Sequence, residues 1–129
     1  KNNIDTILKV KSNIDSGMYY GIQKGAIQAL TIDNSWYEST NQTYSQRREI
    51  VYHICEKLNL TYNKNSTGMF VWAKIKDSKT SSIDFVNNLL YTKDIFITPG
   101  SIFGLNGEGY VRLSLCLSHD KLKEALRKL

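Results

Sequence analysis

The sequence predicts an α+β domain in which a small, mainly antiparallel sheet is covered by helices. Three short runs of alternating, β-favouring residues, at 69–75, 95–98 and 110–117, are separated by stretches with helical periodicity. The chain has 129 residues, a common size for one domain, and 41% of them are hydrophobic, which allows a modest core.

The helices can be placed from apolar stripes and from residues that break them. Residues 3–30 predict a long N-terminal helix, bent near 12–17, where serine, asparagine and glycine are poor helix interior residues. A second helix is expected from about Gln42 to Leu58, between polar loops at 31–42 and 59–67.

Two serines are expected to cap the later helices. Ser81 precedes Asp84 by three residues, a capping pair for a short helix that ends near Tyr91. Ser118 is expected to cap the last helix, which has Asp120 in its first turn and basic residues at its end.

The start of the chain is typical of a trimmed chain or of a piece of a longer protein. It begins with Lys1 rather than Met, and residues 3–11 have an apolar edge with nothing before them in sequence to pack against. We therefore expect residues 1–30 to be an interdomain helix and residues 31–129 to be a small domain.

Composition argues against several classes of function. The net charge is +5, but the basic residues are scattered, so no nucleic-acid partner is expected. No apolar stretch approaches the roughly 20 residues that span a bilayer, so no membrane partner is expected either. Cys55, Cys116, His53 and His119 lack metal-ligand spacing, which predicts no metal site and reduced thiols in a cytoplasmic protein.

The last predicted strand holds the candidate binding residue. Alternation places Val111, Leu113, Leu115 and Leu117 on one face and Tyr110, Arg112, Ser114 and Cys116 on the other. A guanidinium held on a rigid strand can bind a carboxylate through two parallel hydrogen bonds. From spacing alone, an ordinary solvated arginine is the favoured interpretation of Arg112, because most surface arginines bind nothing in particular.

A glycine-dense loop, residues 99–109, precedes this strand. Its four glycines permit positive φ and close approach of the backbone. Phosphate-binding loops lead from a strand into a helix, whereas this loop leads into another strand, so a shaped connection is the favoured interpretation.

Several segments together resemble one known family. Gly-Glu-Gly-Tyr-Val-Arg-Leu-Ser-Leu at 107–115, preceded by Thr-Pro-Gly-Ser-Ile-Phe-Gly at 98–104, resembles the C-terminal signature of class I/II aminotransferases of fold type I. The segments at 11–30, 44–48 and 68–72 resemble the family's crossing helix, Tyr-x-x-Arg-Arg helix start and Gly-x-Phe-x-Trp strand. The resemblance covers nearly the whole chain.

The resemblance implies the C-terminal small domain of an enzyme that uses pyridoxal 5'-phosphate (PLP) to move an amino group between an amino acid and a 2-oxo acid. Its implied partners are a large PLP-binding domain of the same parent chain and a second copy in a homodimer. The family's PLP lysine and the other cofactor-binding groups lie upstream. We therefore expect no catalytic, cofactor-binding or metal residue in this chain, and no activity from it alone.

The resemblance also assigns the candidate site residues. Arg112 matches the strand arginine that pairs with the substrate carboxylate, and Gly100 and Phe103 are expected to bind substrate at the mouth of the site. Arg47 and Arg48 are expected to form structural ion pairs. The alternatives are a stand-alone α+β module that binds a small ligand or a protein, and a PLP-dependent lyase of the same fold.

Overall fold

A computed structural model describes residues 2–14 and 17–129. The described helices are α1 (Asn2–Ile14), α2 (Tyr20–Leu30), α3 (Asn34–Lys57), α4 (Ser82–Lys93) and α5 (His119–Lys128). The described strands are β1 (Leu60–Tyr62), β2 (Phe70–Ile75), β3 (Thr98–Pro99) and β4 (Tyr110–Ser114). Two 3-10 turns, Gly100–Phe103 and Leu105–Gly107, connect β3 to β4. The chain divides into two compact units, Lys1–Glu38 and Ser39–Leu129.

The first unit contains α1, α2 and the start of α3. The predicted bend near 12–17 includes residues 15 and 16, which lie outside the described residues. Apolar side chains of both helices are exposed, for example Ile7 at 64% and Ile22 at 56%. None of the helices in the described part of the chain is long and apolar enough to cross a bilayer.

The second unit contains one four-stranded antiparallel sheet with the strand order β1-β2-β4-β3. β2 and β4 form the centre, and Trp72 lies opposite Arg112 in their register. On its other side, Arg112 lies opposite Thr98 of β3. The predicted α+β class with a small antiparallel sheet is therefore confirmed.

The core lies on one face of this sheet, because alternate residues of each strand point to the same side. On β2 and β4 the buried residues are Val71, Ala73, Ile75, Val111 and Leu113. The helices that cover this face contribute Val51, Tyr52, Ile54 and Cys55 from α3, Val86 and Leu89 from α4, and Leu122 from α5. The helices thus cover one face of β2 and β4, and the opposite face carries Phe70, Trp72 and Arg112.

Two predicted helix caps are confirmed. The Ser81 hydroxyl accepts a hydrogen bond from the backbone N–H of Asp84 at 3.0 Å, which satisfies a donor of the first turn of α4. The Ser118 hydroxyl does the same for the N–H of Lys121 at the start of α5.

The predicted start of the second helix was wrong. α3 begins at Asn34, within the segment predicted as a polar loop. Asp33 supports this start, since its carboxylate accepts from the N–H of Ser35 at 2.8 Å and its carbonyl accepts from the N–H of Trp36 at 3.1 Å. Polar residues disfavour a helix by only about 0.7 kcal/mol each at most, so a capped helix can extend through them.

The sequence also missed strand β1, which lies in the predicted loop at 59–67. Leu60 is buried and pairs with Ile75. The three residues of β1 form the edge of the sheet beside β2. The Tyr62 ring stacks on Tyr52 of α3 with centroids 4.6 Å apart. A strand this short has too little alternation to be recognised locally.

The second predicted strand, at 95–98, is also placed differently. β3 comprises only Thr98 and Pro99. Ile95 and Ile97 are buried in the core, although they lie outside the strand. The alternation of apolar residues in this segment is typical of a strand, but only Thr98 and Pro99, at its end, pair with β4.

Candidate functional site

The glycine-dense loop is tied to the start of helix α4. The Glu108 carboxylate accepts hydrogen bonds from the backbone N–H and the hydroxyl of Ser82, at 2.7 and 3.1 Å. The N–H of Gly109 donates to the same hydroxyl at 2.8 Å. The hydrogen bond from the Ser82 N–H is the main reason why the pKa of Glu108 lies below its usual value. These contacts fix the end of the loop where β4 begins.

Two buried glycines hold the loop together from within. A Cβ atom on Gly100 would overlap the carbonyl oxygen of Gly107, and a Cβ on Gly107 would overlap that of Gly100. The two 3-10 turns can approach this closely because neither residue has a side chain. The sequence predicted Gly100 as a substrate-binding residue, and the structure places it in this buried contact.

Arg112 is half-buried on the face of β4 opposite the core. Its Cζ atom lies 4.3 Å from the centroid of the Phe70 ring on β2 and 4.6 Å from that of Phe103 in the first 3-10 turn. Within residues 2–14 and 17–129, no side chain or backbone group forms a hydrogen bond or ion pair with this guanidinium. The guanidinium therefore contacts two aromatic rings, and its N–H donors have no acceptor among the described residues.

Aromatic side chains continue along the same face of the sheet. The Trp72 ring meets Phe103 edge to face, with centroids 5.7 Å apart, and stacks on Tyr110 at 5.6 Å. At the far end, the Lys74 ammonium lies 5.8 Å from the centroid of the Tyr110 ring. The face is thus an aromatic surface with a cation towards each end.

A groove of about 310 Å³ adjoins Arg112. Its walls are mostly apolar, and Arg112, flanked by Thr98 and Ser114, is the charged residue of the lining. The lining includes Ile54 and Leu122 of the helix-covered face and neither aromatic ring that contacts the guanidinium, so this groove is not part of the aromatic face.

The two arginines of α3 are arranged differently from the prediction. Arg47 donates to the carbonyl of Leu115 at 3.2 Å, and Arg48 donates to the carbonyls of Ser66, at 3.0 Å, and Gly68. Neither arginine is ion-paired in the part of the chain that the structure describes. Their role is structural as expected, but they stabilise carbonyl groups and do not pair with carboxylates.

Sequence reasoning did not assign Phe70, Trp72 and Tyr110 to the site. A signal was present, because β2 alternates Val71 and Ala73 with aromatic residues and is therefore apolar on both faces. One face meets the helices, so the other face was available for a ligand or a partner.

No lysine that the structure describes is buried in an apolar pocket of this chain. A lysine that forms a Schiff base is commonly desolvated in an apolar pocket. Every lysine that the structure describes is exposed. Equally, the described side chains include no cluster of three or more histidines, cysteines or carboxylates that could hold a metal ion. The Arg112 guanidinium is suited to binding a carboxylate.

Known proteins resemble the chain along nearly its whole length. It is 38% identical over 121 residues to the LL-diaminopimelate aminotransferase of Maridesulfovibrio salexigens, a match covering 94% of this chain and 31% of the relative. It is 34% identical to the enzyme of that name from Halothermothrix orenii, with 98% and 32% covered. The chain therefore spans about a third of the length of these curated relatives.

Solved structures share the fold. Substrate-bound BacF from Bacillus subtilis matches with a TM-score of 0.78 and 31% identity over 97% of this chain and 32% of that one. The aromatic aminotransferase of Pyrococcus horikoshii matches with a TM-score of 0.72 and 32% identity over 83% and 29%. The family model for aminotransferase class I and II matches residues 6–129. On this evidence the chain belongs to the class I and II aminotransferase family.

Proposed function

We propose that this chain forms the substrate-carboxylate wall of a PLP-dependent aminotransferase, which moves an amino group between an amino acid and a 2-oxo acid. The observation that carries the proposal is Arg112, a half-buried cation on a central strand with no acceptor among the described residues. Family membership supplies the reaction class.

Arg112 orients the substrate in this proposal. Its planar guanidinium forms two parallel hydrogen bonds with the carboxylate, which fixes both the position and the direction of the amino acid. Orientation of this kind can lower a reaction barrier by several kcal/mol, up to about 7–11 in favourable cases. Phe103 contacts the substrate from the loop, and Gly100 contributes through its backbone by shaping that loop.

The remainder of the active site belongs to other parts of the protein. We propose that a large domain holds PLP, that residues 1–30 cross to it from the small domain formed by 31–129, and that the enzyme is a cytoplasmic homodimer. The exposed apolar side chains of α1 and α2 support the crossing role. The exposure of every described lysine supports inactivity of this chain by itself.

LL-diaminopimelate is the amino donor that we propose, because the curated relatives described above carry that name. The aromatic surface beside Arg112 makes an aromatic amino acid the second donor to test. A structural relative of similar identity is an aromatic aminotransferase.

The test is an assay of the full-length protein with PLP, each donor and 2-oxoglutarate. Arg112→Gln removes two charge-assisted hydrogen bonds, so kcat/KM should fall on the order of 100-fold or more. Arg112→Lys should also lower kcat/KM severely, since lysine cannot form the bidentate pair. Arg127→Gln, at an exposed arginine of α5, is the matched control and should retain wild-type kcat/KM.

The alternatives give different results in the same assay. Release of ammonia and a 2-oxo acid without amino transfer would identify a lyase of the same fold. A full-length protein that neither binds PLP nor transfers an amino group would indicate a binding module. If Arg112→Gln kept the wild-type kcat/KM, the proposed role of Arg112 in substrate binding would be wrong.

A further inference from the structure

The Arg112 guanidinium is held between elements that are distant in sequence. Phe70 lies on β2, next to the fully buried Val71, and so comes from the rigid centre of the sheet. Phe103 lies in the loop, is followed by Gly104 at φ +112°, and its ring meets that of Trp72 in an edge-to-face contact. Phe70 and Phe103 are called the aromatic pair below. The pair connects the loop, the central strand and the cation.

Comparison with the other arginines shows why the aromatic pair matters. Arg48 donates to the carbonyls of Ser66 and Gly68 through both terminal nitrogens, and Arg47, which also lies 5.6 Å from the Tyr44 ring, donates to the carbonyl of Leu115. Arg112 is fixed by ring contacts at 4.3 and 4.6 Å, which use none of its N–H groups. A guanidinium facing aromatic rings keeps its in-plane donors available for a carboxylate.

We propose that Phe70 and Phe103 are positioning residues, which orient the Arg112 guanidinium before the substrate carboxylate arrives. This inference rests on the proposed function of Arg112 and adds the means by which its geometry is set. A free arginine loses rotamer freedom when it binds a ligand, and the aromatic pair removes that freedom in advance.

The proposal predicts where a defect appears in the kinetics. The Arg112–carboxylate contact forms when substrate binds and persists to the transition state, so weakening it affects ground-state binding. Loss of one ring should therefore raise KM for the amino acid more than it lowers kcat. A general loss of structure would reduce kcat through the fraction of active enzyme and leave KM unchanged.

The experiment uses the full-length protein with PLP and LL-diaminopimelate. Phe70→Leu removes the ring but keeps an apolar side chain at a position that is 39% exposed, so folding should survive. We expect KM to rise about 5- to 20-fold, the range of a partly desolvated cation–π contact. Phe70→Tyr keeps the ring and should restore KM to within about 2-fold of wild type. Tyr91→Leu, an 82% exposed aromatic residue on α4, is the control and should change neither constant.

A double mutant connects the effect to Arg112. In an Arg112→Lys background, Phe70→Leu should add less than about a 2-fold change, because the bidentate geometry is already lost. The same 5- to 20-fold penalty in that background would overturn the proposal. An unchanged KM in Phe70→Leu would also overturn it. So would a rise in KM in Phe70→Tyr as large as the rise in Phe70→Leu.

A spectroscopic measurement separates this proposal from the proposed function. In the full-length protein, NMR of the Arg112 Nε–Hε group, assigned from its absence in Arg112→Lys, should show a ring-current shift that Phe70→Leu reduces. Titration with 2-oxoglutarate should perturb this signal at lower concentration in wild type than in Phe70→Leu. If wild type transfers no amino group, the proposed function fails, and equal titration midpoints for the two proteins would separately overturn the positioning role.

Discussion

Gly100 and Gly107 pack backbone against backbone, so that a Cβ atom on either residue would overlap the carbonyl oxygen of the other. This contact closes the two 3-10 turns of the loop on each other. It also sets the path of the chain that carries Phe103 to Arg112. The loop can follow this path only while both positions remain glycine.

Gly100→Ala and Gly107→Ala should therefore destabilise the fold. Forcing an extra methyl group into a packed backbone contact costs about 1–3 kcal/mol of unfolding free energy. Urea unfolding of each variant measures the change. Gly25→Ala is the control, because a Cβ there meets none of the described atoms within 4 Å. It should be neutral or stabilising by up to about 1 kcal/mol in helix α2. A Gly100→Ala protein as stable as wild type would contradict the close contact.

The Glu108–Ser82 contact should give a stability that depends on pH. Hydrogen bonding to the start of α4 lowers the pKa of Glu108 in the folded protein below its unfolded value of about 4.3. The stabilisation is then fully present above the unfolded pKa and is lost as pH falls through the folded pKa. Glu108→Gln should lower the unfolding free energy at pH 7, and the difference from wild type should shrink as the pH falls through the lowered pKa of Glu108 in the folded protein.

Urea unfolding at a series of pH values measures this difference. Glu49→Gln is the control, since Glu49 is exposed and the described residues offer it no hydrogen bond or ion pair. A Glu49 variant should follow the wild-type curve throughout. A Glu108→Gln difference that stayed constant from pH 7 to pH 3 would show that the carboxylate charge has no part in the cap.

The two cysteines should differ sharply in reactivity. Cys55 is fully buried in the core, and burial raises the pKa of its thiol to about 12, while Cys116 is exposed on the chain. The thiolate is the reactive form, so a disulfide reagent at pH 8 should modify one thiol of this chain quickly and the second only after denaturation. Cys116→Ser should abolish the fast reaction. Two fast thiols in the folded chain would contradict the burial of Cys55.

Arg48 should stabilise the turn before β2. Its guanidinium donates to the carbonyls of Ser66 and Gly68, joining α3 to that turn. Arg48→Met should reduce the unfolding free energy by about 1–3 kcal/mol, the range for hydrogen bonds to charged groups. Arg127→Met, at an exposed arginine of α5, should cost less than about 1 kcal/mol. Equal stability losses in the two variants, measured by thermal unfolding, would argue against a specific role for Arg48.

Local patterns predicted much of this fold because the forces behind them act over a few residues. The serine caps of α4 and α5 follow from the first-turn N–H groups of a helix, which need an acceptor. The faces of β4 follow from the two-residue period of a strand, and Val111 and Leu113 are buried as that period predicts. The errors at the start of α3 and at β1 fell where local preference was weak and long-range contacts decided the structure. The strand predicted at 95–98 was wrong because only its end pairs with β4.

The sequence by itself determined the α+β class, the family resemblance and the placement of Arg112 on the strand face away from the core. Only the tertiary structure decided what surrounds that guanidinium. Phe70, Phe103 and Arg112 lie on two strands and a loop, and they meet because β2 pairs with β4 in one register and the loop closes through its glycines. The strand register and the closure of the loop cannot be predicted from a local pattern, since each depends on contacts between residues that are not neighbours in the chain.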